Sequence, residues 1–136
     1  VAPSRGLGDV YKRQGKVARH EGASLVLEQA KKLSENLPII VTGDFNAVPS
    51  DEPIQVLTNP SDPRHLTHSR TIAGFIYGPE WTFHDFGKIP YDKREWIDYI
   101  FVKGNIKVLR HGVLTETLNN LFPSDHCPVI STLILE

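Results

Sequence analysis

Apolar and polar residues alternate along the chain in blocks that predict a helix followed by a strand. In residues 16–36 the apolar positions recur every three to four residues, as in an amphipathic helix with one buried face: Val17, Leu25, Val26, Ala30, Leu33 and, just beyond, Leu37. Pro38 ends this pattern, and the β-branched run from Ile39 to Val41 predicts a buried strand ending at Thr42-Gly43. A helix followed by a strand indicates a layered α/β fold.

The rest of the chain predicts a short helix, a loop and three strands. Ser50 and Asp51 are suitable N-caps for a helix over residues 52–57, and residues 58–72 are polar and without a period, which favours a surface loop. The further apolar runs, which we predict to be strands of a sheet, are residues 96–102, 106–114 and 128–135. The chain contains no internal repeat, so we interpret it as one domain.

Residues 1–14 differ from the rest of this pattern. They show neither a helical nor a strand period, and they end in Lys12-Arg13-Gln14 directly before the predicted helix. We interpret residues 1–14 as a foreign or mis-joined segment and residues 15–136 as the domain. Localisation and oligomeric state are left open by the sequence.

Composition limits the classes of protein to which this chain can belong. Its 136 residues are 40% hydrophobic and carry a formal net charge of -1 with no basic block, so broad non-specific binding of nucleic acid is not indicated. The one cysteine, Cys127, excludes an internal disulfide. No apolar run approaches the roughly 20 residues of a membrane span. We therefore expect a soluble protein.

The first candidate for chemistry is the segment Gly43-Asp44-Phe45-Asn46, directly after the predicted buried strand. In an extended chain, residues two apart face the same side, so the Asp44 carboxylate and the Asn46 amide would converge on one ligand while Phe45 turns inward. Glycine, aspartate and asparagine also favour simple turns. The spacing alone leaves both interpretations open.

The second candidate, Asp98, is the one carboxylate in the otherwise apolar run of residues 96–102. A charge in such a strand is costly unless it is paired. Asp98 therefore requires a cationic or hydrogen-bonding partner, for which the nearby Lys93 or Arg94 would be a purely structural choice.

The third candidate is Ser124-Asp125-His126, which leads into the last predicted strand. An ionised aspartate is a hard oxygen ligand for Mg²⁺ or Mn²⁺, and a histidine can transfer a proton or donate to a phosphate oxygen near neutral pH. Because adjacent side chains on extended backbone point apart, Asp125 and His126 are expected to have different tasks. An ordinary turn before a strand is the alternative.

Together the three motifs, in this order, resemble the C-terminal half of the endonuclease/exonuclease/phosphatase superfamily, over residues 15–136. The resemblance implies a layered sandwich of two mainly antiparallel sheets with outer helices, present here as a partial domain. It also implies divalent-metal-dependent hydrolysis of a phosphodiester or phosphomonoester, with Mg²⁺ or Mn²⁺ as cofactor and a nucleic acid or a small phosphorylated molecule as substrate.

The resemblance also implies roles for particular residues. Asp44 would orient and deprotonate the attacking water, and Asn46 would bind a phosphate oxygen. Asp98 would orient His126, His126 would contact the scissile phosphate, and Asp125 would bind the metal. The family uses further residues that precede the helix at Lys16, namely an asparagine, a metal-binding glutamate and a histidine, and none of them is found in this chain. We therefore expect an incomplete site and little activity from the chain alone.

Several other residues have weaker claims to a function. Trp81 and Phe83 lie in an aromatic stretch that either shapes substrate access or packs in the core. We expect Cys127 to be a small buried apolar residue rather than a nucleophile, and His65 and His68 to lie on a solvated face rather than on a metal. The alternatives to an enzyme are a non-catalytic remnant that keeps the fold and an interaction module with coincidental motifs.

Overall fold

The computed structural model describes the chain from Pro3 to Glu136, with side chains from Gly15 onwards. The predicted mis-joined segment, residues 1–14, lies outside the residues whose side chains are described. The elements in chain order are α1 Pro3–Ser34, β1 Ile39–Asp44, α2 Glu52–Thr58, β2 Thr67–His68, α3 Ser69–Ile72, β3 Phe75–Tyr77, a 3₁₀ turn Tyr91–Lys93, β4 Asp98–Lys103, β5 Ile106–Val113 and β6 Val129–Leu135. No helix in this described part is long and apolar enough to cross a membrane.

The strands form two three-stranded sheets, in the orders β1-β4-β2 and β3-β5-β6. All pairs are antiparallel except β3 with β5. Gly104 lies in the turn between β4 and β5, where its φ is +93° and a Cβ would lie 3.2 Å from the Pro38 Cα, so this turn requires glycine. The turn carries the chain from one sheet to the other. This architecture confirms the predicted fold class of two mainly antiparallel sheets with helices.

The buried face of helix α1 agrees with the predicted one only in part, since Val26 packs against the core as predicted. Leu25 and Leu33 are exposed, whereas Ala23 and Leu27, four residues apart, are buried. The helix also begins before the predicted residue 16. An apolar period marks only where a helix starts to bury a face, and Ala23 is the first described residue of α1 that is buried.

Two further predictions require correction. Strand β1 is not buried, because it lies at the edge of its sheet and its residues are exposed or half-buried. Residues 58–72 are not wholly loop, since they contain β2 and α3. A strand of two residues is too short to give a period. The predicted short helix and the last three strands are confirmed within one or two residues.

The core lies between α1, α2 and the first sheet and continues to the second sheet. Tyr99 and Phe101 stack on each other with ring centroids 5.0 Å apart, and Phe45 meets both rings edge-on. Leu27 and Leu57 complete this centre from the two helices. Phe45 thus turns inward, as predicted, and anchors the segment that follows β1.

Candidate active site

Two neighbouring strand ends bring Asp44 and Asp98 together. Strand β1 ends at Asp44, β4 begins at Asp98, and the two residues lie directly opposite each other in the antiparallel register. Like charges at opposite cross-strand positions repel each other. This placement is therefore destabilising unless a cation or a proton lies between the carboxylates.

His126 supplies such a group. Its Nδ1 lies 2.7 Å from Asp98 Oδ2, and its Nε2 lies 3.9 Å from Asp44 Oδ2. Because a carboxylate only accepts, the Nδ1 atom carries the proton and donates to Asp98. One potential ligand atom from each of Asp44, Asp98 and His126 lies within 4.8 Å of the other two. His126, and neither Lys93 nor Arg94, is the ionic partner that Asp98 requires.

Thr82 holds Asp98 from the other side and was not recognised in the sequence. Its fully buried hydroxyl donates to Asp98 Oδ2 at 2.6 Å and accepts from the backbone N–H groups of Ile97 at 3.1 Å and Asp98 at 3.2 Å. Asp98 Oδ2 thus accepts from both Thr82 and His126. The one available signal was the presence of a polar residue between two aromatic ones, which is too common to identify a site.

Opposing effects act on the pKa of the His126 imidazole. Burial lowers it, whereas the hydrogen bond to Asp98 and the negative charges of Asp98, Asp44 and Asp125 raise it, and the outcome is a raised pKa. The protonated form is therefore favoured more than in a free histidine. An imidazolium here can face a phosphate oxygen or hold a proton for a leaving group.

Asn46 lies beside this group but does not have the predicted conformation. The expected convergence of its side chain with Asp44 assumed an extended chain, whereas Asn46 has φ of 47° in the left-handed region. Its N–H donates to Asp44 Oδ1 at 2.8 Å, which closes a turn, and its carbonyl accepts from Arg19 at 2.9 Å. Asp44 Oδ2 stays free of this turn.

Asp125 is separate from the group of Asp44, Asp98 and His126, although it is adjacent to His126. Its backbone carbonyl accepts from the N–H groups of His84 and Asp85, and its carboxylate accepts from Ser124 Oγ at 3.3 Å. The expectation that Asp125 and His126 have different tasks stays a prediction. Metal binding by Asp125 stays a prediction.

The aromatic residues Trp81 and Phe83 have different surroundings. Phe83 pairs with His126 through a β-bridge, and their ring centroids are 4.9 Å apart, so Phe83 packs against the His126 ring. Trp81 is buried beneath Arg94, whose guanidinium carbon lies 4.4 Å from the ring centroid. This burial and this contact are typical of a core residue. Substrate binding by either residue stays a prediction.

The remaining candidates do not belong to the group of Asp44, Asp98 and His126, although Cys127 lines the same cleft as these three residues. Cys127 is a buried free thiol, and burial raises its pKa, as fits a small apolar residue. His65 and His68 belong to no cluster of possible metal ligands among the described residues. The prediction of a solvated face is wrong for His68, whose ring packs against Trp96, Tyr99 and Phe101.

A cleft of about 460 Å³ opens over the three grouped side chains. Its lining includes the polar side chains of Thr42, Asp44, Asp98, Ser124 and His126. Two carboxylates and a histidine at one end of a cleft can together activate a water molecule and protonate or bind an oxyanion. The free carboxylate oxygens, Asp44 Oδ2 among them, are also hard ligands that suit Mg²⁺ or Mn²⁺.

Comparison with known proteins relates the chain to one family. Residues 17–126 match the model of the Endonuclease/Exonuclease/phosphatase family. Among solved structures, the chain is similar to an endonuclease/exonuclease/phosphatase from Bacteroides vulgatus, with 31% identity and a TM-score of 0.82 over 89% of this chain and 45% of that one. A family protein from Bacteroides thetaiotaomicron has 34% identity and a TM-score of 0.78 over 89% and 45% of the two chains.

A third similar structure is a mannosyl-6-phosphatase from Bacteroides thetaiotaomicron, with 33% identity and a TM-score of 0.75 over 86% of this chain and 46% of that one. No curated protein matches the chain. The chain therefore spans somewhat less than half the length of the structures it matches.

Proposed function

The chain belongs to the endonuclease/exonuclease/phosphatase family, and we propose that it carries the water-activating half of a divalent-metal-dependent phosphoester hydrolase. The observation that supports this proposal most directly is the convergence of Asp44, Asp98 and His126 within 4.8 Å. Since these side chains come from three separate segments, their meeting is not explained by any one turn or strand. A non-catalytic remnant would not need to keep all three.

In the proposed reaction, Asp44 orients a water molecule through Oδ2 and accepts its proton as the water oxygen bonds to phosphorus. The P–O bond to the substrate's alcohol breaks in the same displacement, and the departing alcohol oxygen takes a proton from solvent. The 3.9 Å between Asp44 Oδ2 and His126 Nε2 is too long for a hydrogen bond, but one oxygen atom beside the line that joins them can lie within hydrogen-bond distance of both. His126 holds its proton towards that space and binds a phosphate oxygen. Asp98 and Thr82 fix the orientation of the imidazole ring.

The carboxylate oxygens of the site fit Mg²⁺ or Mn²⁺, both of which prefer oxygen ligands. We propose that Asp125 helps to bind the ion together with residues beyond this chain, and that Asn46 contacts the phosphate through its side chain. A bound ion would supply charge stabilisation to the phosphoryl oxygens.

Two observations favour a phosphomonoester over a long nucleic acid as substrate. The net charge of -1 without a basic block gives little attraction for a polyanion. The similar mannosyl-6-phosphatase acts on a phosphorylated sugar. We therefore propose a sugar phosphate as the first substrate class to test.

The test compares the 136-residue chain with a hybrid in which the N-terminal half of the Bacteroides vulgatus structure precedes residue 15. We expect the hybrid to hydrolyse mannose 6-phosphate or p-nitrophenyl phosphate only with Mg²⁺ or Mn²⁺, and the chain alone to show little turnover. Asp44→Asn should lower the hybrid's rate about 10²- to 10⁴-fold. Asp92→Asn, which alters an exposed aspartate of the 3₁₀ turn, is the matched control.

A folded hybrid that binds these phosphates but does not turn them over would contradict the proposal and support a binding module. Equal rates for the Asp44 and Asp92 variants would exclude Asp44 as the base. Hydrolysis of a DNA or RNA oligonucleotide in place of the monoesters would overturn the substrate class alone.

A further inference from the structure

A second buried polar group, separate from the candidate active site, links the two sheets. Ser69 Oγ from α3 lies 2.8 Å from Nδ1 of His111 in β5, and Ser131 Oγ from β6 lies 3.0 Å from the same nitrogen. Ser69 and His111 are both buried, at 0% and 1% exposure. One imidazole nitrogen thus joins the β2–α3 segment of the first sheet to the second sheet.

His68 and His111 face each other within this link. Their ring centroids are 5.5 Å apart, and the Trp96 ring lies 5.4 Å from His68 and 5.8 Å from His111. The Nε2 atoms of both histidines are buried and have no hydrogen-bond partner. We refer to His68, Ser69, Arg70, Trp96, His111 and Ser131 as the inter-sheet cluster.

The charged member of this cluster, Arg70, is a cation. The guanidinium carbon of Arg70 lies 5.0 Å from the Trp96 ring centroid, and among the residues whose side chains are described Arg70 forms an ion pair with the exposed Glu80 at 3.5 Å. Tyr99, whose ring centroid is 5.1 Å from that of His68, is a phenol whose pKa is raised by burial, so it stays neutral. Within the described chain, no carboxylate forms an ion pair with His68 or His111. A proton on either ring would therefore meet positive charge without a counterion.

We propose that the inter-sheet cluster is an acid-sensitive latch, in which protonation of His68 or His111 releases the β2–α3 segment from the second sheet. A buried imidazolium without a partner is strongly unfavourable, and the released segment can expose that ring to water. Closure at neutral pH and release in acid would confine the intact fold to neutral conditions. The latch is independent of the proposed hydrolysis.

The pKa values of the two histidines agree with this arrangement. Burial first, and then the charges of His111 and Arg70, lower the pKa of His68 from 6.5 to about 4. Burial and the charge of Arg70 lower the pKa of His111 to about 4. In the unfolded chain both rings have ordinary values, so the unfolded state binds more protons between about pH 4 and pH 6.5. Stability is thus complete above about pH 6.5 and falls as the pH falls towards 4.

The test is urea unfolding of the wild-type chain and of His68→Phe at intervals from pH 4.5 to pH 7. Phenylalanine keeps an aromatic ring against Trp96 and Tyr99, and His68 Nε2 has no hydrogen bond to lose. Near pH 5 each of the two buried rings takes up close to one proton when the protein unfolds. Each ring therefore changes the unfolding constant by up to tenfold per pH unit. The unfolding of His68→Phe should take up about one proton fewer than that of the wild type, so its unfolding constant should change less with pH.

Parallel pH dependences for wild type and His68→Phe would overturn the proposal. If His68→Phe does not fold, NMR titration of the wild-type ring protons decides instead. Midpoints well below 6.5 for His68 and His111 support the latch, and midpoints near 6.5 exclude it. The active-site residues titrate in both the wild type and His68→Phe, so their effect cancels when the pH dependences of the two unfolding constants are compared.

Discussion

Replacing Thr82 with valine should destabilise the fold far more than the loss of one surface hydroxyl would suggest. Valine has nearly the same shape but cannot accept the N–H groups of Ile97 and Asp98 or donate to Asp98 Oδ2. Each buried N–H that loses its acceptor costs about 1–3 kcal/mol. The Asp98 carboxylate keeps His126 as a partner, so no isolated charge is created. For Thr82→Val we expect a loss of about 2–4 kcal/mol, most of it from the two N–H groups.

The matched control is Thr82→Ser, which keeps the hydroxyl and removes one buried methyl group, at a cost of about 1 kcal/mol. Urea unfolding in metal-free buffer at pH 7, followed by the fluorescence of the buried Trp81 and Trp96, measures both variants. If the valine variant is as stable as the serine variant or more stable, the hydroxyl does not hold Asp98 as the structure indicates. A loss of stability of about 2–4 kcal/mol in Thr82→Val but not in Thr82→Ser supports the hydrogen bonds of the hydroxyl as its cause.

Three further predictions follow from the described contacts. Gly78→Ala should cost at least about 2 kcal/mol in thermal unfolding, because φ is +83° and a Cβ would lie 2.2 Å from the Val113 carbonyl oxygen; Gly22→Ala, in open space on α1, should be neutral or stabilising. Cys127 should react with Ellman's reagent only as fast as the protein unfolds, because its thiol is buried and its pKa is raised; rapid labelling of folded protein would contradict this. In metal-free buffer, His126→Gln should lower the free energy of unfolding more at pH 5.5 than at pH 8.5. The pKa of His126 is raised in the folded protein, so its protonation stabilises the fold fully below pH 6.5, and this stabilisation is lost as the pH rises through the pKa of the folded state.

The order of the longer elements could be predicted because β1, β4, β5 and β6 are apolar runs between turn residues, whereas the short strands β2 and β3 were not predicted. The assignment of strands to sheets could not. β4 and β5 are joined by the tight turn at Gly104, which suggests a hairpin, yet they belong to different sheets. Sheet membership depends on partners distant in sequence, such as β1 with β4 and β3 with β5. The apolar pattern does not encode those pairings.

More of the site than of the sheet pairing could be predicted, because a charged residue in an apolar strand is visible in the sequence and is unfavourable without a partner. Asp98, in an apolar strand, required a partner, and the resemblance to the family suggested His126, which the structure places at 2.7 Å. Thr82 could not be found in this way, since a neutral hydroxyl costs little to place and leaves no such signal. The roles of these residues in catalysis stay predictions.

The turn and the catalytic site were opposed interpretations of Asp44, but the structure makes them compatible. Oδ1 of Asp44 accepts the Asn46 N–H and closes the turn, while Oδ2 faces His126 across 3.9 Å. The turn therefore holds the carboxylate in place rather than competing for it, and it explains the left-handed φ of Asn46. A turn alone, however, gives no reason to place Asp44 directly opposite Asp98 in the register, where two like charges repel. That repulsion is relieved because His126 donates to Asp98 through Nδ1 and faces Asp44 through Nε2, and both carboxylates raise its pKa. This arrangement is the physical argument on which the proposed role of Asp44 rests.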